Sequence, residues 1–233
     1  MKKVAFLLTI VVIFSVLTLT GCKEKNREYD EAEVKAAALL LIPKSEILNE
    51  MYWGFGIAHD GNRSEANGKY YKADFLSAAE FGVETVEDMK RLTRECFSES
   101  YSNLIISTKL SAVQDEDGNM IAHSRYYQKY NVLDGSEEYR EECIMVDSEA
   151  KVLLDDELSY DYDTLTVSHS IGDSVIVKIT VTVTESEGKS QTKELEISLV
   201  EEADGWRINS PTYTTYFDRA DYDEIQNKLQ NGD

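Results

Sequence analysis

Apolar positions keep a helical period in the first half of the chain and a strand period in the second. From Glu31, the residues Val34, Ala37, Ala38 and Leu41 recur at helical spacing. Pro43 either stops that helix or opens a second one carrying Ile47, Leu48, Met51 and Tyr52. The run from Ala36 to Ile42 is too short to span a bilayer and reads as core. Between Gly54 and Gly68 the composition turns to Gly, Asn, Asp and Ser, which predicts a loop, and Lys69 to Phe75 follows as a short strand or extended approach. Thr85 then opens a helix as its N-cap, with Asp88 at the capping-box position and Val86, Met89, Leu92, Thr93, Cys96 and Phe97 as its apolar stripe.

Beyond Asp115-Glu116-Asp117-Gly118-Asn119, a turn, the period becomes two. Met120, Ala122, Tyr126, Tyr130 and Val132 alternate with Ile121, His123, Arg125 and Lys129 as one long half-exposed strand. Val175, Val177, Ile179, Val181 and Val183 alternate with polar residues in the plainest strand of the chain. Glu187-Gly188-Lys189 turns it, Leu195, Ile197 and Leu199 form the next strand, and Asp204-Gly205 turns again before Trp206, Ile208 and, past Pro211, Tyr213 continue as the last strand of an antiparallel meander. Tyr222, Ile225 and Leu229 predict a short C-terminal helix. No internal repeat is visible.

The N-terminus has a different character. Lys2 and Lys3 precede an uncharged apolar run from Val4 to Thr20, which ends in Leu19-Thr20-Gly21-Cys22. This resembles a bacterial lipoprotein signal peptide with its lipobox: a small residue precedes the scissile bond, and the Cys22 sulfur would accept diacylglycerol. An uncleaved membrane helix would sit at the short limit for a ~30 Å hydrocarbon core. Two or more acyl chains at ~0.8 kcal/mol per buried methylene would make a lasting anchor on the extracytoplasmic face of the membrane. The charged stretch Lys23 to Asp30 reads as a tether reaching roughly 15 Å. The expected organisation is therefore a signal peptide 1–21, a lipidated tether 22–30, one domain 31–217, and a C-terminal helix or tail 218–233.

Helices followed by strands predict an α+β domain, with the N-terminal helices packed on a curved antiparallel sheet. The order helix, helix, long strands, then a last strand opening Asp-Gly-Trp-Arg-Ile resembles the NTF2-like or cystatin-like superfamily. Gly68-Lys69-Tyr70-Tyr71, then Thr85 to Leu92, then Phe97-Ser98, is similar to the secreted DL-endopeptidase inhibitors of Gram-positive bacteria, over residues 31 to 215. That resemblance implies a wall-associated protein that blocks cysteine peptidases trimming peptidoglycan stem peptides; it transfers no contact residue. The lipid anchor and the acidic excess depart from it.

Charge narrows the partners. The chain carries 24 Lys plus Arg against 44 Asp plus Glu, a net charge of −20, and loss of Lys2 and Lys3 with the signal peptide takes it to −22. Such a surface repels nucleic acid and polyanionic wall polymers. Three cysteines do not make a disulfide scaffold, and Cys96 and Cys143 are expected to be unpaired and buried. No metalloprotease, zinc-ribbon, nucleophile-elbow or phosphate-loop motif occurs, so no catalytic residue, metal or cofactor is assigned. His59-Asp60 reads as a solvated loop pair ahead of a base with its orienting carboxylate. His123 and His169 fall in strand patterns. Asp60-Gly61-Asn62 and the Asp115 turn lack calcium-loop spacing. Asp155, Asp156, Glu157, Asp161 and Asp163 read as a solvated acidic face ahead of a weak divalent-cation site.

The 14 tyrosines suit sheet cores and faces as well as a recognition surface or a wet pocket, because Tyr joins a large apolar ring to a polar tip. Tyr126, Tyr127, Tyr160, Tyr162, Tyr213 and Tyr216 are the candidates for such a surface. Two functions remain open. One is a non-catalytic surface lipoprotein that binds a protein or wall component, including an extracytoplasmic wall hydrolase. The other is an NTF2-like small-ligand or proton-transfer domain, which needs an enclosed pocket above ~300 Å³ lined by His and carboxylate.

Overall fold

The computed structural model describes residues 29–65, 69–114, 120–122, 124–132, 140–154, 157–184 and 188–213. The signal peptide, Cys22, the Asp115 turn, His123, Asp155, Asp156, Tyr216 and the C-terminal helix lie outside them.

Helix α1 runs unbroken over Glu31–Trp53, so the expected break at Pro43 does not occur. Pro43 stands on the exposed face, and Leu39, whose carbonyl loses its helical donor, is exposed too, so water can take that bond. The opposite face, from Val34, Ala38 and Ile42 to Leu48 and Met51, is buried continuously across the proline. Packing of both halves on one core outweighs the local break. Asp30 caps the start by accepting from Ala32 N.

Strand β1 (His59–Glu65) replaces the expected loop; it pairs through an irregular register with β2 (Tyr70–Ala73). Two short helices follow, α2 (Phe75–Glu80) and α3 (Val86–Cys96). Helix α3 has the expected capping box: Asp88 N donates to Thr85 Oγ1 at 3.1 Å and Thr85 N donates to Asp88 Oδ2 at 3.1 Å. Helix α4 (Glu99–Lys109), capped by Ser98, was not expected. The long strand proposed for Met120 to Val132 is two: β4 (Met120–Ala122) pairs with β3 (Val113–Gln114), and β5 (Tyr126–Val132) pairs with β6 (Arg140–Asp147). The meander β7 (Glu157–Ile171), β8 (Ser174–Thr184), β9 (Ser190–Glu202) and β10 (Gly205–Ile208) follows, and its last strand ends at Ile208 without continuing past Pro211 to Tyr213 as expected.

The protein is α+β. Where one curved sheet was expected, the described strands form two four-stranded antiparallel sheets, ordered β1-β2-β6-β5 and β10-β9-β8-β7, and the paired strands β3 and β4. Alternate residues of β8 are buried without exception, Val175 through Val183, as period-two patterning requires. One buried cluster joins α1, α3 and α4 to both sheets and includes Tyr126, Ile144 and Val146 of the first sheet. The other face of that sheet carries a small cluster of Tyr70, Tyr127, Cys143 and Met145. Cys96 sits in the large cluster and Cys143 in the small one, and no disulfide joins them. Among the described residues no helix is long and apolar enough to cross a membrane.

Candidate functional site

The break between β4 and β5 has a cause that defines the site. Arg125, expected on the exposed side of a strand, is buried, and its guanidinium reaches the C-terminal end of α1. Nη1 donates to Tyr52 O at 2.8 Å, and Nη2 donates to Gly54 O at 2.7 Å and to Phe55 O at 2.8 Å. Nε donates to Tyr126 Oη at 3.1 Å. The last carbonyls of a helix lack helical donors and carry the negative end of its dipole, so a cation is stabilised there without a carboxylate. The planar fork of Arg suits carbonyls that diverge in this way.

Tyr126 completes the clamp. Its hydroxyl donates to Met51 O at 2.6 Å and accepts from Ile57 N at 3.1 Å. Between these bonds lies Gly56 with φ +70, where a Cβ would stand 2.3 Å from both Arg125 Nη2 and Tyr126 Oη. Only glycine fits that close approach. Ile57 enters the core, while Phe55 projects outward with 73% of its surface exposed. Its backbone is nonetheless held at both ends: Phe55 N donates to Glu50 Oε1 at 2.8 Å, and Phe55 O accepts from Arg125. A large aromatic side chain thus stands in water on a turn that is pinned from beneath.

Helix α2 is seated beside this turn. Asp74 N donates to Ala58 O at 2.8 Å, Ala58 N donates to Ser77 Oγ at 2.9 Å, and Asp74 caps α2 through Ser77 N. Its first two residues, Phe75 and Leu76, are 70% and 71% exposed. Phe55, Phe75 and Leu76 therefore give one end of an acidic protein three large exposed apolar side chains on short, hydrogen-bonded supports. Scattered exposed apolar residues are ordinary; aromatic anchors on a fixed backbone are what binding surfaces use.

A cavity of about 260 Å³ adjoins the clamp, lined by Lys109, Ser124, Arg125, Asp147, Lys151 and Leu153 among others. Lys109 Nζ lies 5.5 Å from the Trp53 ring centroid. Among the described residues it has no carboxylate within ion-pair distance, and burial, then the nearby Arg125 charge, lowers its pKa to about 8. Asp147 is paired with Lys69 at 3.4 Å. A second cavity, about 220 Å³, is lined by Glu46, Asn49, Glu50, Leu154, Glu157, Leu158 and Tyr160. No histidine lines either cavity, and both fall below the size expected for a small-ligand enzyme pocket.

For four of the six tyrosines singled out from sequence the structure corrects the surface reading; Tyr216 lies outside the described residues. Tyr126, Tyr127, Tyr160 and Tyr213 are buried and form no surface. Their hydroxyls and rings have interior partners: Tyr126 serves the clamp, Tyr127 meets Tyr70 edge-on at 5.0 Å, Tyr160 Oη donates to Thr212 O at 3.0 Å, and Tyr213 packs on Trp53 at 4.6 Å. Tyr162 is half-buried, donates to Glu46 Oε1, and has its hydroxyl pKa raised by burial and then by that carboxylate. His59 is exposed on β1 and stacks on Tyr71 at 4.6 Å; His169 is exposed on β7 of the other sheet, 3.0 Å from Ser168 Oγ. The structure does not bring these two histidines together. Among the described residues no group of three His, Cys, Asp or Glu is placed to hold a metal ion. The clamp itself was missed. Its trace in the sequence is Trp53-Gly54-Phe55-Gly56, a bulky aromatic between glycines directly after a helical stripe.

Comparison of the chain with family models, with characterised proteins and with solved structures finds no match.

Proposed function

We propose that this chain is a lipid-anchored protein of the extracytoplasmic membrane face whose domain binds a protein partner through the Phe55 end and catalyses nothing. The observation that carries the reading is Phe55: it is largely exposed to water while its amide and carbonyl are fixed by Glu50 and Arg125. Holding an aromatic anchor in its binding conformation lowers the entropy lost on association. The net charge supports a cationic partner patch, which speeds encounter at low salt. The specific form of the reading is inhibition of a peptidoglycan DL-endopeptidase, in line with the resemblance carried by Gly68 to Tyr71 and Thr85 to Leu92.

The test uses the mature chain, purified in detergent, added to DL-endopeptidases cleaving stem peptides. Cleavage should slow, with an association rate that falls as the Debye length shrinks from ~10 Å at 0.1 M salt to ~3 Å at 1 M. Phe55→Ala should weaken inhibition by roughly 30-fold, the effect of losing about 2 kcal/mol at an interface anchor. Absence of inhibition across several such enzymes removes the inhibitor form and leaves a binding module. Turnover of a small substrate, abolished by substituting His59, His123 or His169, would overturn the non-catalytic reading.

A further inference from the structure

Two lysines stand without a counterion in a protein that has an excess of carboxylates. The chain carries 44 Asp plus Glu against 24 Lys plus Arg. Lys109 and Lys151 nevertheless line the cavity of about 260 Å³ beside the clamp and pair with no carboxylate among the described residues. Lys109 is half-buried at the end of α4, and its Nζ lies 5.5 Å from the Trp53 ring centroid, a contact that answers charge but supplies no lone pair. None of its three donors meets an acceptor among the described residues, and the ammonium is not sealed off from solvent. Arg125 places a further positive charge in the same lining, and burial, then that charge, brings the Lys109 pKa down to about 8. Asp147, the one carboxylate among the described lining residues, is already engaged: its Oδ2 faces Lys69 Nζ at 3.4 Å and its Oδ1 accepts from Glu149 N at 2.9 Å. The walls are fixed in advance, since Asp147 N donates to Arg125 O at 2.9 Å and Leu153 N donates to Trp53 O at 2.7 Å.

An anion completes this set, and the surroundings decide its class. Phosphate sites are built from helix N-termini, backbone N–H groups and bidentate Arg forks. Here the cavity meets the C-terminal end of α4, where the helix dipole is negative. The Arg125 fork is engaged by Tyr52 O, Gly54 O and Phe55 O, so it contributes charge and not a bidentate grip. Asp147 opposes a second negative charge on the ligand. A monoanion is therefore favoured over a dianion. Ala150 and Leu153 supply a short apolar wall, and the volume, too small for a drug-sized ligand, is ample for a carboxylate with a few carbons. We propose that this cavity binds a carboxylate, whose oxygens accept from Lys109 and Lys151 and whose carbon chain lies along Ala150 and Leu153. The inference goes beyond the partner-binding reading and does not depend on it. The same chemistry has two sources, a carboxylate on a polypeptide and a free short-chain acid.

NMR titration of the mature chain, purified in detergent and carbon-13-labelled at lysine, with propionate, Nα-acetyl-alanine, propionamide and inorganic phosphate tests this. The two carboxylates should move the Lys109 and Trp53 resonances saturably, with a Kd of ~1 mM for propionate, within what so small a ligand can gain. Propionamide, which lacks the charge, should not. Tighter binding of Nα-acetyl-alanine points to a polypeptide source, and equal or tighter binding of propionate to a free acid. Lys109→Met and Lys151→Met should each weaken binding by about tenfold, the loss expected from removing one charged donor. Methionine keeps an apolar stem against Trp53, and Lys151 is exposed, so both variants should fold. The charged groups around Lys109 are Arg125 ahead of β5, Asp147 at the end of β6 with Lys69 ahead of β2, and Lys151 on the segment after β6. With these unchanged, saturating propionate should carry the Lys109 pKa from about 8 to ~9, the same tenfold read as proton affinity. Arg125 is left intact because it also holds Phe55, so that failure here leaves the Phe55 reading standing. No saturable shift, an equal response to propionamide, tighter binding of phosphate than of propionate, or unchanged affinity in either lysine variant overturns the proposal.

Discussion

Replacing Arg125 with Met should unfasten the end of α1 and the turn that presents Phe55. Methionine keeps much of the apolar stem volume and removes the four donated bonds to Tyr52 O, Gly54 O, Phe55 O and Tyr126 Oη. Bonds from a charged donor contribute about 1.5–3 kcal/mol each. Part of this is offset, because the variant no longer desolvates a guanidinium. Tyr52 and Gly54 are buried, so their carbonyls are not readily rehydrated; Phe55 is exposed, and its carbonyl is. Tyr126 Oη retains Met51 O and Ile57 N. The net loss is then about 3 kcal/mol, governed by two stranded buried carbonyls at about 1–3 kcal/mol each. With a denaturant slope of ~2 kcal/mol per M, the urea midpoint should fall by ~1.5 M without a change in slope. Arg125→Lys should recover only part of it, because one ammonium cannot reach diverging carbonyls on three residues together with Tyr126 Oη. Urea unfolding at pH 7 followed by Trp fluorescence gives the number. A variant within ~0.5 kcal/mol of wild type would mean that α1 and the turn hold their geometry without the clamp, and the reasoning would fail.

Three further outcomes follow from the same structure. Folding depresses the Lys109 pKa from 10.5 to about 8, so below pH 8 both states hold the proton and the full cost of burying the ammonium is present. Wild-type stability should therefore rise relative to Lys109→Met between pH 8 and 10.5, by on the order of 1–2 kcal/mol after allowing for solvent access, and parallel pH curves would refute it. The Cys96 thiol, buried against α1 with its pKa pushed up to about 12 by burial, should resist iodoacetamide in the native state and react only at the global unfolding rate, which mass mapping of the labelled peptide will show. Gly56→Ala should cost more than ~2 kcal/mol in thermal unfolding, since the new Cβ meets Arg125 and Tyr126 at a positive φ.

What the sequence disclosed and what it concealed divides by the range of the interactions involved. The capping box at Thr85 and Asp88 is a contact three residues long, and the alternation of β8 reports burial directly; both elements form as the pattern predicts. Helix α1 continues through Pro43 because the cost falls on its wet face, a tertiary fact absent from the local string. Strand β1 was hidden because its Gly- and Asn-rich residues pair through a shifted register, and α4 because two of its buried positions, Tyr101 and Ser102, are not a typical apolar stripe. The site depends on longer reach. Arg125 bonds to carbonyls some 70 positions away, so alternation alone placed it in solvent. The tyrosines pointed to a surface for the same reason: the distant carbonyls that let Tyr126 and Tyr160 be buried cannot be seen from their own segments. Phe55 was read as part of a polar loop, since nothing in its neighbours shows that the loop is pinned.

The central claim, that Phe55 is the contact point for a protein partner, is tested most directly by placing a photo-crosslinking p-benzoylphenylalanine at position 55 in the full chain in its native cell. The same residue at position 171 serves as control, because Ile171 is also exposed but lies at the β7–β8 turn. A discrete adduct from position 55, absent from position 171 and reduced by Phe75→Asp, is the predicted result. Equal labelling from both positions, or none from position 55, would contradict the account.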